Sequence, residues 1–101
     1  YAPATPFTVL AEPSDFNPVE GRRYALLSYR GNRDDGYLDL TSWEQVTVLS
    51  PGSGKLPEAA VRLFFSMRQL DALGVDEIIA EPVPERGVGV AIMDRLRRAS
   101  A

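Results

Sequence analysis

Apolar positions along this chain come as short unbroken runs separated by turn formers, with two longer stretches at helical spacing near the end. "FTVLA", Phe7–Ala11, is apolar and rich in β-branched residues, the pattern of a strand buried on both faces. "EPSDFNPVEG" then breaks the pattern with proline, glycine and Asp/Asn. "RYALLSY", with its apolar run at 24–29, predicts a second strand, and "GNRDDG" after it reads as a surface loop. In "LTSWEQVTVLS", Thr41 or Ser42 is placed to cap one helical turn before "QVTVLS" continues as a third strand. The segment from Leu56 to Gly74 is the clearest helix. Pro57 and Glu58 suit its first turn, Ala60, Leu63, Phe64, Met67, Leu70 and Leu73 recur at three and four, and Gly74 supplies the stop. Arg62, Ser66 and Gln69 fall off that stripe. "VDEIIAEPVP" predicts a fourth strand centred on Ile78 and Ile79 and ended by Pro82 and Pro84. A final helix follows, with Val88, Ile92, Leu96 and Ala99 on its apolar face.

A strong helix between the third and fourth strands implies a strand–helix–strand crossover, hence parallel pairing. The predicted class is α/β: a small Rossmann-like layered domain with a mainly parallel sheet of about four to five short strands and two main helices. The first two connections are too short for full helices. "YAPATP" carries two prolines in six residues and reads as an extended linker end, so residues 1–6 are assigned to a linker and 7–101 to the domain.

Composition narrows the chemistry. At 101 residues the chain fits one domain, and its 45% hydrophobic and 25% charged residues are those of a folded globular protein. With no Cys and no His, thiol nucleophiles, disulfides, thiolate metal sites and the commonest general base are all excluded. The absence of Cys also favours a cytoplasmic setting. A net charge of -3 argues against a freestanding nucleic-acid binder. No run approaches the ~20 apolar residues of a membrane span. The chain starts at Tyr1 rather than Met and reads as a piece of something longer.

Three stretches invite a functional reading. Gly87-Val88-Gly89 resembles half of the dinucleotide fingerprint, yet Ile92 occupies the third glycine position and no acidic partner follows about 20 residues on. A turn into the last helix explains both glycines. "PGSGK" at 51–55 resembles a phosphate loop, but that pattern requires glycine at 49 and Ser or Thr at 56, and both are leucine. Arg95, Arg97 and Arg98 form the only dense basic cluster; the last turn of a helix favours cations, and Asp94 pairs with Arg98 at i, i+4. Arg95 stands apart because it borders the apolar face near Asp94 and the glycine turn. Glu77, Glu81, Asp71 and Asp76 lie at strand and helix ends without ligand spacing and read as solvated.

"YAP" before a buried strand, "PEAAVRLFFSMRQLDALGVDEIIAEPVPERGVGVAIMDRLRRA", and its Gly-x-Gly-x-Ala-x-x-Asp-Arg-Leu ending resemble the C-terminal domain of two-domain threonylcarbamoyl-AMP synthases of the Sua-five type. The resemblance spans nearly the whole chain and is most specific from Pro57 to Ala99. It implies a partner, the catalytic YrdC-like domain of the same polypeptide, which condenses L-threonine, bicarbonate and ATP to threonylcarbamoyl-AMP and pyrophosphate for tRNA modification. ATP and magnesium are then expected in that domain, which this chain lacks. No catalytic, metal or cofactor site is expected here, and no direct tRNA binding. The family's linker ends in His-Tyr-Ala-Pro, of which Tyr1, Ala2 and Pro3 are present, so Tyr1 is the one residue expected near the active site. Gly87, Gly89, Asp94 and Arg95 become candidates for the turn or the domain interface. Two readings of function follow: a noncatalytic regulatory or lid domain, and a standalone small-ligand or nucleotide-binding module using Gly87, Gly89 and Arg95.

Overall fold

The computed structural model describes residues 2–101. Four strands, β1 (Phe7–Val9), β2 (Tyr24–Ser28), β3 (Gln45–Val48) and β4 (Glu77–Ala80), and two helices, α1 (Leu56–Asp71) and α2 (Gly89–Ala99), form an α/β layered domain. Every strand pair is parallel, in the order β1-β4-β2-β3. The crossover read from the sequence therefore exists: the chain leaves β3 through α1 and returns as β4, which inserts between β1 and β2.

Alternation along the strands divides the core into two faces. Ala25 and Leu27 of β2, Ile78 and Ala80 of β4 and Phe7 of β1 pack under α1 and α2 with Leu63, Met67, Leu70, Ile92 and Leu96. Tyr24, Leu26 and Ile79 point the other way, where Tyr37, Phe16 and Trp43 cover them. Both helices thus lie on one side, and the two long connections from β1 to β2 and from β2 to β3 supply the second layer. Phe16 stacks on Trp43 at 5.4 Å and meets Tyr24 edge-on at 5.0 Å, an aromatic seal in place of a helix.

Three details depart from the pattern reading. No helical turn forms at Thr41–Ser42. The turn lies earlier, as a single 3₁₀ turn at Arg33–Asp35, where the Asn32 side chain accepts the Asp34 N–H at 2.8 Å and Gly36 closes it at φ 92°. On α1, Leu63, Met67 and Leu70 are buried as read, but Ala59 and Ser66 complete the buried face while Phe64 and Leu73 are 50% and 39% exposed. The core-facing arc is rotated from the predicted stripe, because residues 56, 59, 63, 66, 67 and 70 share one side at 100° per residue. On α2 the buried set is Gly89, Ile92, Met93 and Leu96, and Val88 caps the helix in an exposed position.

Helix α1 starts without a capping side chain of its own. Instead, buried Ser50 at the end of β3 accepts the Lys55 N–H at 2.7 Å and donates to the Glu58 carboxylate at 2.6 Å, closing the loop onto the helix's positive end. The lead-in is docked as well: the Asp71 carboxylate accepts the N–H groups of Ala4 at 3.2 Å and Thr5 at 2.9 Å, and the Pro6 carbonyl accepts the Ile78 N–H at 2.8 Å.

Candidate functional site

Ligands of parallel α/β sheets bind outside the carboxyl ends of the strands, and here the loops leaving β2, β3 and β4 converge at that edge. They enclose a cleft of about 440 Å³ whose walls include Tyr29, Arg30, Asp35, Tyr37, Glu81 and Arg86. Of the two glycine stretches singled out in the sequence, the 51–55 loop reaches it through Ser53 and Gly54, while the β4–α2 connection lines the other side with Pro84 and Arg86, ahead of Gly87. Gly54 takes φ 74°, and a Cβ there would stand 2.9 Å from the Tyr29 ring. Its carbonyl accepts the Tyr29 hydroxyl at 2.7 Å, so ring and loop lock each other.

Glu81 dominates the floor. The residue, read as solvated from the sequence, is only 3% exposed, because just past β4 its N–H still bonds the Leu27 carbonyl at 2.9 Å, which keeps it against the sheet before Pro82. Its Oε1 accepts the Tyr29 N–H at 3.1 Å, and Oε2 is buried with no hydrogen-bond partner among the described residues. Burial pushes the carboxyl above its ordinary pKa, against the opposing pull of the Ser28 hydroxyl and the Tyr29 N–H. The Tyr37 hydroxyl is likewise raised, first by burial and then by the Glu81 charge. At the mouth, Arg30 grips Asp35 through two hydrogen bonds of 2.8 and 2.7 Å, which holds the Asp35 carboxyl below its usual range. Among the described residues Arg86 makes no ion pair. Chemically the cleft offers a buried acceptor or acid at Glu81 beside a cation at Arg86.

The candidates named from the sequence do not converge there. Tyr1 lies outside the described residues. Gly87 is exposed at φ 52° with open space around its Cα, while Gly89 is buried and a Cβ on it would be driven into the Pro84 carbonyl oxygen. Asp94 is exposed and pairs with Arg98 at 3.2 Å. Arg95 places its guanidinium 4.5 Å from the Phe64 ring centroid, joining α2 to α1 away from the cleft. Arg97 pairs with Glu85. Glu77 is half-buried and accepts the Thr8 hydroxyl at 2.5 Å, and Asp76 holds the Arg23 N–H at 2.7 Å. Among the described residues no three potential ligand side chains cluster for a metal, and no helix is long and apolar enough to cross a membrane.

By its sheet order and layering the chain is a single-sided α/β layered domain with an all-parallel four-stranded sheet. More particularly, the family described as "Threonylcarbamoyl-AMP synthase, C-terminal domain" matches residues 1–101, and the chain belongs to that family. A threonylcarbamoyl-AMP synthase of Bacillus subtilis is 34% identical over 108 aligned positions, covering 99% of this chain and 29% of that protein. One from Pyrococcus abyssi is 54% identical over 43 residues, covering 43% of this chain and 13% of that protein. The crystal structure of P. abyssi Sua5 complexed with L-threonine superposes with a TM-score of 0.71 at 28% identity, covering 99% of this chain and 29% of that one. A double alanine variant of the same protein gives 0.61 at 27% identity, covering 96% and 29%. The chain spans under a third of the length of the relatives it matches.

Proposed function

We propose that this domain is the noncatalytic regulatory or lid part of a threonylcarbamoyl-AMP synthase, which joins L-threonine, bicarbonate and ATP into threonylcarbamoyl-AMP and pyrophosphate for the threonylcarbamoyladenosine modification of tRNA. The observation that carries this reading is the match of all 101 residues to the family's C-terminal domain, in relatives more than three times as long. In this reading the catalytic YrdC-like domain lies N-terminal in the same polypeptide, holds ATP and magnesium, and is joined through residues 1–6, with Tyr1 nearest the reacting groups. The setting is cytoplasmic, and tRNA is bound elsewhere than on this domain.

The docked lead-in suits a lid. Two amide hydrogen bonds to Asp71 and one from Ile78 to Pro6 tie the segment to a rigid helix and a strand. A movement of the domain is thereby passed to the linker and to whatever the linker covers. Such a lid requires only contacts that differ between open and closed states, since a ligand shifts a conformational equilibrium by its differential affinity for the two. The test compares the full-length protein with its catalytic domain retaining an intact linker. The reading expects the shortened protein to lose rate or threonine affinity; equal kcat and KM for all three substrates would overturn it.

A further inference from the structure

Two charged groups of the cleft at the strand ends are not used by the fold. Arg30 and Asp35 are committed to each other through two hydrogen bonds, and the Tyr29 hydroxyl is committed to the Gly54 carbonyl. Glu81 and Arg86 line the same cleft without such partners. Glu81 is 3% exposed, and its Oε2 has no hydrogen-bond partner among the described residues. Arg86 is exposed and makes no ion pair among the described residues.

A buried carboxylate with an unpaired oxygen is unfavourable, and burial disfavours the charged form of Glu81 in particular. A donor entering the cleft supplies the missing hydrogen bond, and a cationic donor supplies the opposite charge as well. The terminal torsion of a glutamate is soft, so the carboxylate can turn an oxygen toward such a donor. Arg86 has the reverse need, an anion that accepts from its planar guanidinium. The charges lining the cleft cancel, with Arg30 and Arg86 against Asp35 and ionised Glu81. A ligand carrying both signs and no net charge therefore matches it better than an anion does. A nucleoside polyphosphate would bring several negative charges to one uncommitted guanidinium beside two carboxylates, and the 51–55 loop lacks the phosphate-loop pattern. The volume of about 440 Å³ suits a small molecule, and Tyr29, Tyr37, Pro82 and Pro84 give its walls apolar surface.

We propose that the cleft lined by Glu81 and Arg86 is a binding site for a small zwitterion of the amino-acid class, with its ammonium group on the Glu81 carboxylate and its carboxylate on Arg86. The Tyr29–Gly54 and Arg30–Asp35 locks hold the walls in place before the ligand arrives, which reduces the ordering that binding requires.

The test titrates the full-length protein with pools of the standard L-amino acids at millimolar concentration, and separately with AMP and with inorganic phosphate. L-threonine is kept out of the pools, so that binding at a catalytic site does not reach the readout. The backbone amide NMR signals of Tyr29, Gly54 and Arg86 are followed. The proposal expects saturable shifts at these amides from at least one pool, with affinity weakened about tenfold or more in both Glu81→Gln and Arg86→Ala. Arg86 is exposed, so its variant keeps the fold whatever happens at Glu81. The absence of shifts from every pool shows that the cleft holds only water and overturns the proposal. Shifts from AMP or phosphate alone identify an anion site and overturn it, as does an affinity for amino acids that is unchanged in either variant. All of these negative results leave the lid reading standing, because that reading is judged by the kinetics of the shortened protein.

Discussion

Glu81 and Gly89 are where single residues decide most. Gly89 begins α2 at the point of closest approach to the β4–α2 loop, and the obstacle to any side chain there is backbone, which cannot rotate aside. Gly89→Ala is expected to cost about 1–3 kcal/mol through overpacking, measured by urea denaturation. Gly87→Ala, with its positive φ and open surroundings, is expected to cost about 1 kcal/mol from backbone strain alone. Glu81 acts through pH. Burial raises its pKa in the folded state, so the protonated acid is the form that folding favours. Its contribution to stability is complete below the ordinary value of 4.5 and is lost as pH rises through the folded value. Glu81→Gln keeps an oxygen for the Tyr29 N–H and removes the titration. The wild-type protein is therefore expected to lose stability relative to Glu81→Gln as pH rises from below 4.5 in paired denaturation curves; parallel curves would show that the carboxyl is not desolvated.

Among the elements, α2 depends on a narrow set of contacts. It meets α1 and the edge strand β1, and its inner face consists of Gly89, Ile92, Met93 and Leu96. Leu96 is fully buried, and Leu96→Ala is expected to destabilise the domain by about 2–5 kcal/mol, read as a lowered denaturation midpoint. The strands and both helices were legible in the sequence because apolar runs bounded by Gly and Pro, and apolar residues at three and four, are local signals. The rotation of α1 was not. Leu63, Met67 and Leu70 are compatible with burying either Phe64 or Ser66, and only docking on the sheet selects between them. Glu81 was missed for a related reason: an acid after "IIA" and before proline looks like a strand end, and its burial comes from loops distant in sequence. The signal on offer was its place between the apolar run Ile78–Ala80 and Val83. The cleft itself joins residues 29, 35, 54, 81 and 86, a grouping that no local spacing encodes.

At the scale of the molecule, one layer of helices and one of long connections enclose a parallel sheet, and three features face outward from it. The cleft at the strand ends holds the buried Glu81 carboxyl. The apolar arc of α1 presents Val61, Phe64 and Phe65. Between the sheet and that arc, the lead-in is pinned to Asp71. In the lid reading proposed above, the pinned lead-in is the strap that transmits the movement. The strap offers the most direct measurement: amide hydrogen exchange at Ala4 and Thr5 in the full-length protein, with and without L-threonine and ATP together. The lid account predicts that substrates change the protection of these two amides while the β2 and β4 amides stay as they were. Identical protection at Ala4 and Thr5 in both conditions would contradict it.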